Sequence, residues 1–339
     1  SSTVTAGGNA MNGPAISSQP LATKKEAYRH DVAGHAGLLR MKGPVLGFGG
    51  YIGRALTDAI FPRKCRACGA YWPHEPQSSS SHVDYDPDLR AGDHGLYNIF
   101  HRVALPFLCS DCRTSFEPVG SPLCERCGVM FKSPVGEDHL CSECLRQPGA
   151  FRRARAAGVY SGALMELVHQ LKYRACFVLL DPLGQLLQEA FRLHWLPGEI
   201  DMVLPIPLHA RRWRQRGFNQ AQMLVDAWAR AARRSTRDGC RFPKARDIFV
   251  RSRPTAPQTG LGKPERRRNI RGAFKVVDRA AVKGRSILLV DDVYTTGATA
   301  VEAARELKEN GAEAVDVLTI ARTMPNLDRM GRKAKRIGE

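Results

Sequence analysis

The sequence contains no apolar run long enough to form a membrane-spanning helix. Such a helix needs ~20 consecutive apolar residues, and no segment of the 339-residue chain approaches that length. The first residues also lack the basic start, the apolar stretch and the small-residue cleavage site of a secretory signal. We therefore expect a cytoplasmic protein without a membrane span.

Acidic residues are scarce relative to basic ones. The chain has 51 Lys and Arg against 33 Asp and Glu, which gives a net charge of +18. This excess favours polyanionic partners such as phosphorylated ligands or nucleic acid, although an arginine-rich composition common to a whole genome is a competing explanation. We find no aromatic platform interleaved with the basic residues, so the charge permits nucleic-acid contact without indicating it.

Disulfide bonds are not expected, although the chain has ten cysteines. Disulfide frameworks are typical of small secreted domains, whereas eight of these cysteines form four Cys-x-x-Cys pairs. Two such pairs supply one tetrahedral Cys₄ site, so the sequence predicts two structural zinc ions. The predicted ligands are Cys65, Cys68, Cys109, Cys112, Cys124, Cys127, Cys141 and Cys144. Consecutive pairing is the simplest arrangement, intercalated pairing stays open, and redox-active pairs are the weaker alternative.

Composition divides the rest of the chain into segments. Residues 1–44 are rich in Ser, Ala, Gly and Thr and are predicted to form a disordered leader, followed by a short amphipathic helix at 45–62. The cysteine region, 63–148, is predicted to be a double zinc ribbon. Its residues 70–105 have few aliphatic side chains and predict a disordered insertion between cysteine pairs. Residues 326–339 form a basic tail.

Residues 151–325 alternate strand and helix patterns. Ile200 to Pro207 and Ile287 to Val290 are apolar runs typical of buried parallel strands. Asn219 to Arg234 and Ala298 to Asn310 have helical spacing. The sequence therefore predicts an α/β domain with a mostly parallel sheet and flanking helices.

The most informative motif is a strand that leads into a loop of small and hydroxyl residues at 286–299. Small residues let backbone N–H groups approach a phosphate, and the following helix N-terminus favours negative charge. The two carboxylates suit ribose hydroxyls or water around Mg²⁺. The predicted ligand-binding residues are Asp291, Asp292, Thr295, Thr296, Gly297, Ala298 and Thr299. A helix-capping corner without a ligand is the alternative interpretation.

Two further sequence segments, taken with these motifs, point to a known protein family. The sequence contains Arg-Gly-Phe-Asn-Gln at 216–220 and Pro-Gln-Thr-Gly-Leu at 257–261. Together with the phosphate loop and the cysteine pairs, these segments resemble the ComF/GntX family of competence-type proteins over roughly residues 45–325. The sequence departs from the family pattern in its long insertion and at Ala175-Cys176, where the family often has a Gly-Asp turn.

The resemblance implies a fold, ligands and further site residues. It implies a type I phosphoribosyltransferase fold after a double zinc ribbon, with 5-phosphoribosyl pyrophosphate and Mg²⁺ as ligands. Arg211, Arg212 and Arg216 would occupy the pyrophosphate loop, and the stretch 258–269, with Arg266, would close over the site. A solvated basic face is the alternative for these arginines.

Two functions stay open at the level of sequence. The first is a Mg²⁺-dependent phosphoribosyltransferase with an unknown acceptor and no identifiable catalytic base. The second is a non-catalytic zinc-ribbon protein that binds a phosphosugar or acts as a scaffold. In the family, either would fit DNA uptake and transformation, with single-stranded DNA or competence proteins as partners.

Overall fold

The structure, a computed structural model, describes residues 63–72, 94–133, 135–232, 242, 247–255 and 262–324. All of them belong to one contact unit, Thr57–Glu339. The predicted leader, the predicted helix at 45–62, the basic tail and the start of the predicted lid lie outside the described residues.

A four-stranded parallel sheet forms the centre of the described chain. Its strands are β3 (Ala154–Val159), β4 (Met202–Pro205), β7 (Ser286–Tyr294) and β8 (Ala314–Arg322). They lie in the order β3-β8-β7-β4, and every neighbouring pair is parallel. The predicted fold class, a mostly parallel sheet with flanking helices after a small cysteine-rich region, is confirmed.

Alternate side chains of β7 enter two separate cores, as the period of a strand requires. Leu288 and Val290 pack in a core formed with helices on one face of the sheet. Ile287 and Leu289 pack in the core of the opposite face. All four side chains are fully buried, which explains why this strand is a continuous apolar run in the sequence.

Helices cover both faces of the sheet. One core includes residues of α4 (Gly162–Arg174), α5 (Leu180–His194) and α7 (Gln220–Ala232). The other includes residues of α10 (Ala298–Glu309) and of the short helix α9 (Arg279–Val282). Buried apolar side chains on both faces account for the stability of a layered α/β domain.

A small antiparallel pair lies beside the main sheet. It consists of β5 (Phe249–Arg251) and β6 (Phe274–Val276), and helix α8 (Lys263–Ile270) lies between them in sequence. A further short helix, α6 (Ala210–Arg216), follows β4. These elements place arginines close to the carboxyl edge of the main sheet, where open α/β folds bind ligands.

The cysteine-rich region contains a two-stranded antiparallel sheet and three helices. The strands are β1 (Arg63–Lys64) and β2 (Tyr71–Trp72). The helices are α1 (His94–Ala104), α2 (Ser110–Thr114) and α3 (Ser142–Arg146).

The prediction of disorder over 70–105 is wrong for residues 94–104. These residues form α1, whose Leu96 and Phe100 are buried in the same core as the helices α4 and α5. Phe100 also stacks on Phe116, with ring centroids 4.0 Å apart. The buried aromatic and aliphatic side chains order this part of the insertion by burying apolar surface. Residues 73–93 lie outside the described chain.

Candidate functional site

The loop after β7 is a tight turn that leads directly into a helix. Gly297 has φ +76° and ψ 0°, and α10 begins at the next residue. A side chain is disfavoured there for two reasons: the backbone is left-handed, and a Cβ would overlap the Tyr294 hydroxyl. The turn therefore requires glycine and brings the backbone of Thr295 to Gly297 to the N-terminus of α10, a favourable place for an anion.

Two carboxylates follow the continuous apolar run of β7. Asp292 Oδ2 lies 2.9 Å from Lys172 Nζ, and this ion pair is mostly buried. Asp291 Oδ1 accepts a hydrogen bond of 2.9 Å from the Asp292 backbone N–H. Lys172 comes from the last turn of α4, so the site joins two elements that are distant in sequence.

The electrostatics of this carboxylate pair are unusual. Burial, and then the neighbouring charge of Asp292, raise the pKa of Asp291 to about 7, against the opposing effect of Lys172. Burial opposes the charged form of Lys172, but attraction to Asp292 and Asp291 raises the pKa of Lys172 above its ordinary value. A carboxyl group whose pKa lies near 7, next to a charged lysine, is typical of a ligand-binding site.

Arg251 is a site residue that sequence reasoning missed. It lies on β5 and is buried, and burial followed by repulsion from Arg212 lowers its pKa to about 10. Its charge is close enough to Asp291 to lower the pKa of that carboxyl. Arg251 donates to Thr255 Oγ1, while its Nε is buried without a partner among the described residues. A buried guanidinium with an unused donor suits an anionic ligand.

The structure separates the three arginines predicted for the pyrophosphate loop. Arg212 points toward β5 and donates a weak hydrogen bond of 3.5 Å to the Thr255 carbonyl. Burial, and then the charge of Arg216, lower the pKa of Arg212. Arg216 lies over the Tyr173 ring, 5.7 Å from its centroid. Arg211 is exposed at the start of α6, where its backbone N–H donates to His209 Nδ1.

Arg266, predicted for the lid, lies beside the phosphate loop. Its Nη1 donates a hydrogen bond of 3.1 Å to Thr295 Oγ1. Arg266 is carried by α8, which begins after the part of the predicted lid that lies outside the described residues. Arg266 and Lys172 therefore flank the loop and the acidic pair, from helices α8 and α4.

The eight cysteines form two clusters with consecutive pairing. Cys65, Cys68, Cys109 and Cys112 make the first cluster, and Cys124, Cys127, Cys141 and Cys144 make the second. The Sγ atoms of each cluster all lie within 4.8 Å of one another. Backbone N–H groups donate to the sulfurs, as from Cys141 to Cys124 Sγ at 3.3 Å. Four sulfurs with N–H donors fit a tetrahedral metal ion such as zinc.

Three exposed aromatic side chains lie on α6 or contact residues at its C-terminal end. Tyr173, Phe177 and Trp213 are exposed by 63%, 45% and 54%. Phe177 packs edge-to-face on Phe218, with ring centroids 5.1 Å apart. Part of this signal is present in the sequence, because Trp213 stands between Arg212 and Arg214, and Phe218 follows Arg216 by two residues.

Comparison with curated proteins finds relatives over most of their own length. The DNA utilization protein YhgH of Escherichia coli (strain K12) is 33% identical over 221 residues, which cover 64% of this chain and 91% of that protein. Competence protein F of Haemophilus influenzae is 31% identical, covering 63% of this chain and 90% of that protein. Competence protein ComFC of Streptococcus pneumoniae is 27% identical, covering 63% and 87%.

Other comparisons are weaker. No family model matches the chain. Among solved structures, the allosteric regulatory enzyme of purine biosynthesis is 20% identical, with a TM-score of 0.27 over 42% of this chain and 25% of that chain. The phosphoribosylpyrophosphate synthetase of Mycobacterium smegmatis is 19% identical, with a TM-score of 0.21 over 43% of this chain and 33% of that chain. Likenesses this low carry no argument about the site.

Proposed function

Because the chain belongs to the ComF family of competence proteins, we propose that its parallel-sheet domain binds 5-phosphoribosyl pyrophosphate with Mg²⁺ in a role linked to DNA uptake. The observation that carries this proposal is the acidic pair, half-buried Asp291 and buried Asp292, shortly before a glycine turn and a helix N-terminus. Its position at the carboxyl edge of a parallel sheet is where such folds bind phosphorylated ligands.

Each part of the ligand has a chemically matched group. The loop from Thr295 to Gly297 and the N-terminus of α10 would hold the 5′-phosphate. The carboxylates would contact the ribose hydroxyls or water bound to Mg²⁺. Arg251, Arg212 and Arg266 would face the pyrophosphate, since guanidinium groups bind phosphate oxygens in a bidentate manner.

The same site could also catalyse phosphoribosyl transfer. Loss of pyrophosphate from C1 of the ribose would develop oxocarbenium character, and the arginines with Mg²⁺ would neutralise the leaving group. Nothing in the site identifies the acceptor or a base. A binding protein and a phosphoribosyltransferase would therefore share this site and differ only in turnover.

Calorimetry on the full chain tests the proposed ligand. We expect the double variant Asp291→Asn with Asp292→Asn to lose measurable binding of the Mg²⁺ complex of phosphoribosyl pyrophosphate. The control, Glu309→Gln with Glu313→Gln, removes two charges at the other end of α10 and just before β8, and should bind like the wild type. Equal binding by wild type and the aspartate variant would refute the site. Pyrophosphate release across a panel of nucleobases would then separate an enzyme from a binder.

The exposed rings among arginines favour a second candidate function, the binding of single-stranded nucleic acid. Aromatic side chains stack on successive bases, and arginines neutralise the phosphates between them. Tyr173, Phe177 and Trp213 offer the rings, and Arg211 and Arg214 on α6 are exposed beside Trp213.

A salt titration of oligonucleotide binding tests this second candidate. The affinity of the wild type for single-stranded DNA should fall steeply with salt. Tyr173→Ala and Trp213→Ala should each weaken binding by ~1–3 kcal/mol. Val277→Ala, another exposed apolar position, should have little effect. A flat salt response, or equal affinity of all three variants, would count against the surface.

A further inference from the structure

Arg322 lies between the second cysteine cluster and the phosphate loop. It ends β8 and is buried. Its Nη2 is 3.4 Å from Cys127 Sγ, and its guanidinium lies over the Tyr294 ring, 4.3 Å from the centroid. One side chain therefore contacts both a sulfur of the cluster and the last residue of β7.

Tyr294 extends this contact into the loop. Its hydroxyl lies against Gly297, so closely that a Cβ at that position would overlap it. Its carbonyl accepts a hydrogen bond of 3.0 Å from the Thr323 backbone N–H, next to Arg322. A continuous series of contacts thus joins Cys127 through Arg322 and Tyr294 to the glycine turn.

Helix α8 provides a second, independent connection. Arg267 Nη2 lies 2.9 Å from Glu143 Oε1, and Arg267 also donates to Gln147. Glu143 is on α3, between two ligands of the second cluster. The neighbouring Arg266 donates to Thr295 of the phosphate loop. Arg266 and Arg267 therefore join the loop to the helix that carries Cys144.

We propose that the second cysteine cluster, with its metal bound, is the structural support that holds the phosphate loop in its ligand-binding conformation. The metal would fix the positions of Cys127 and α3, and with them Arg322 and α8. Arg322 and Tyr294 are then positioning residues. The expected effect on ligand binding rests on the proposed function, whereas the expected ordering of the loop does not.

The first cluster makes different contacts and serves as a comparison. Arg66, inside its first cysteine pair, donates to Cys176 Sγ at 3.2 Å, and the Arg66 carbonyl accepts from Gln170 of α4. These contacts reach α4 and not the loop at 295–297. Loss of the first metal should therefore leave the ordering of that loop intact.

Hydrogen exchange on the full chain tests the support directly. The Val301 amide donates to the Gly297 carbonyl at 2.9 Å and the Ala298 amide to Thr296 Oγ1 at 3.5 Å, so both report on the glycine turn. In Cys144→Ser, which should lose the second metal, these two amides should exchange about tenfold faster. In Cys112→Ser, which should lose the first metal, they should exchange like the wild type. Equal exchange in Cys144→Ser and wild type, or equal acceleration in both variants, would overturn the proposal.

Arginine variants test the same claim without removing a ligand of the metal. Arg322→Met should retain two metals per chain but speed the exchange of the Ala298 and Val301 amides and weaken phosphoribosyl pyrophosphate binding about tenfold, with partial rescue in Arg322→Lys. Arg66→Met is the matched control and should leave the exchange of the Ala298 and Val301 amides unchanged. Arg322→Met with wild-type exchange would overturn the proposal even if the cysteine variant fails to fold. If the wild type binds no ligand but the variants still show the expected exchange differences, only the proposed function is refuted.

Discussion

Asp291 is an acid whose ionisation the fold disfavours. Its pKa rises from 3.8 to about 7 because burial and Asp292 oppose the charged form. The folded state then holds the proton more tightly than the unfolded chain between these values. This carboxyl therefore contributes stability at low pH that is lost as pH rises through about 7.

The same shift predicts the pH dependence of ligand binding. A carboxylate binds Mg²⁺ and its water better than a neutral carboxyl does. Affinity for Mg²⁺-phosphoribosyl pyrophosphate should therefore rise as the pH increases through about 7 and then level off. Calorimetry at a series of pH values checks this. The step should shrink in Asp291→Asn to the change that the ligand's own phosphates cause, since a phosphate monoester titrates near pH ~6. A wild-type profile identical to that of Asp291→Asn would contradict the assignment.

Gly297 allows a second prediction at the residue scale. Gly297→Ala should destabilise the protein by more than the ~1–2 kcal/mol that a left-handed backbone costs an alanine, because its Cβ also overlaps the Tyr294 hydroxyl. Gly284 has φ +68° with open space around it, so Gly284→Ala should show the backbone cost alone. Denaturant unfolding measures both, and equal losses would show that the Tyr294 contact is not rigid.

Some residues of the site can be predicted from the sequence and others cannot. The acidic pair and the glycine turn are contiguous, and a contiguous motif can be read directly. Arg251 and Lys172 reach the site from β5 and α4 through tertiary packing. No local pattern marks a single arginine in a strand as a site residue, so only the structure identifies Arg251.

At the scale of elements, strand β7 could be predicted from the sequence. Its apolar run is dictated by burial on both faces, and the alternation of Leu288 and Leu289 between two cores follows from the strand period. Helix α1 was missed because polar residues around it suggested disorder. Its own signal, Leu96, Tyr97 and Phe100 at helical spacing, was present.

The burial of β7 predicts its contribution to stability. Leu289→Ala should reduce the free energy of unfolding by ~2–5 kcal/mol, because the side chain is fully buried and leaves a cavity. Val301→Ala on α10, where the side chain is partly exposed, should cost much less. Chemical denaturation of both variants tests the comparison. A small loss for Leu289→Ala would show that the two cores are loosely packed.

At the scale of the whole molecule, the chain combines a region with two Cys₄ clusters and a parallel sheet that we propose binds a ligand. The two Cys₄ clusters predict about two zinc ions per chain by elemental analysis of protein purified without chelators. Chelation should lower the melting temperature, since metal binding is linked to folding. A metal content near zero in freshly purified, folded protein would refute the zinc assignment.

The arrangement of these parts could be predicted only in outline. Paired cysteines and an apolar strand are local signals. They predict the cysteine clusters and a ligand site after β7. The contact from Cys127 through Arg322 to Tyr294 joins three separate parts of the chain. Such a contact depends on how the cysteine-rich region packs against β8, which spacing along the sequence does not encode.

The central claim is that the acidic pair and the glycine turn bind phosphoribosyl pyrophosphate with Mg²⁺. The most direct measurement is calorimetry of the full chain with this ligand, compared with ribose 5-phosphate and with pyrophosphate alone. We predict one Mg²⁺-dependent site per chain that binds the complete ligand more tightly than either fragment. Absence of binding, or equal affinity for the complete ligand and pyrophosphate alone, would contradict the account.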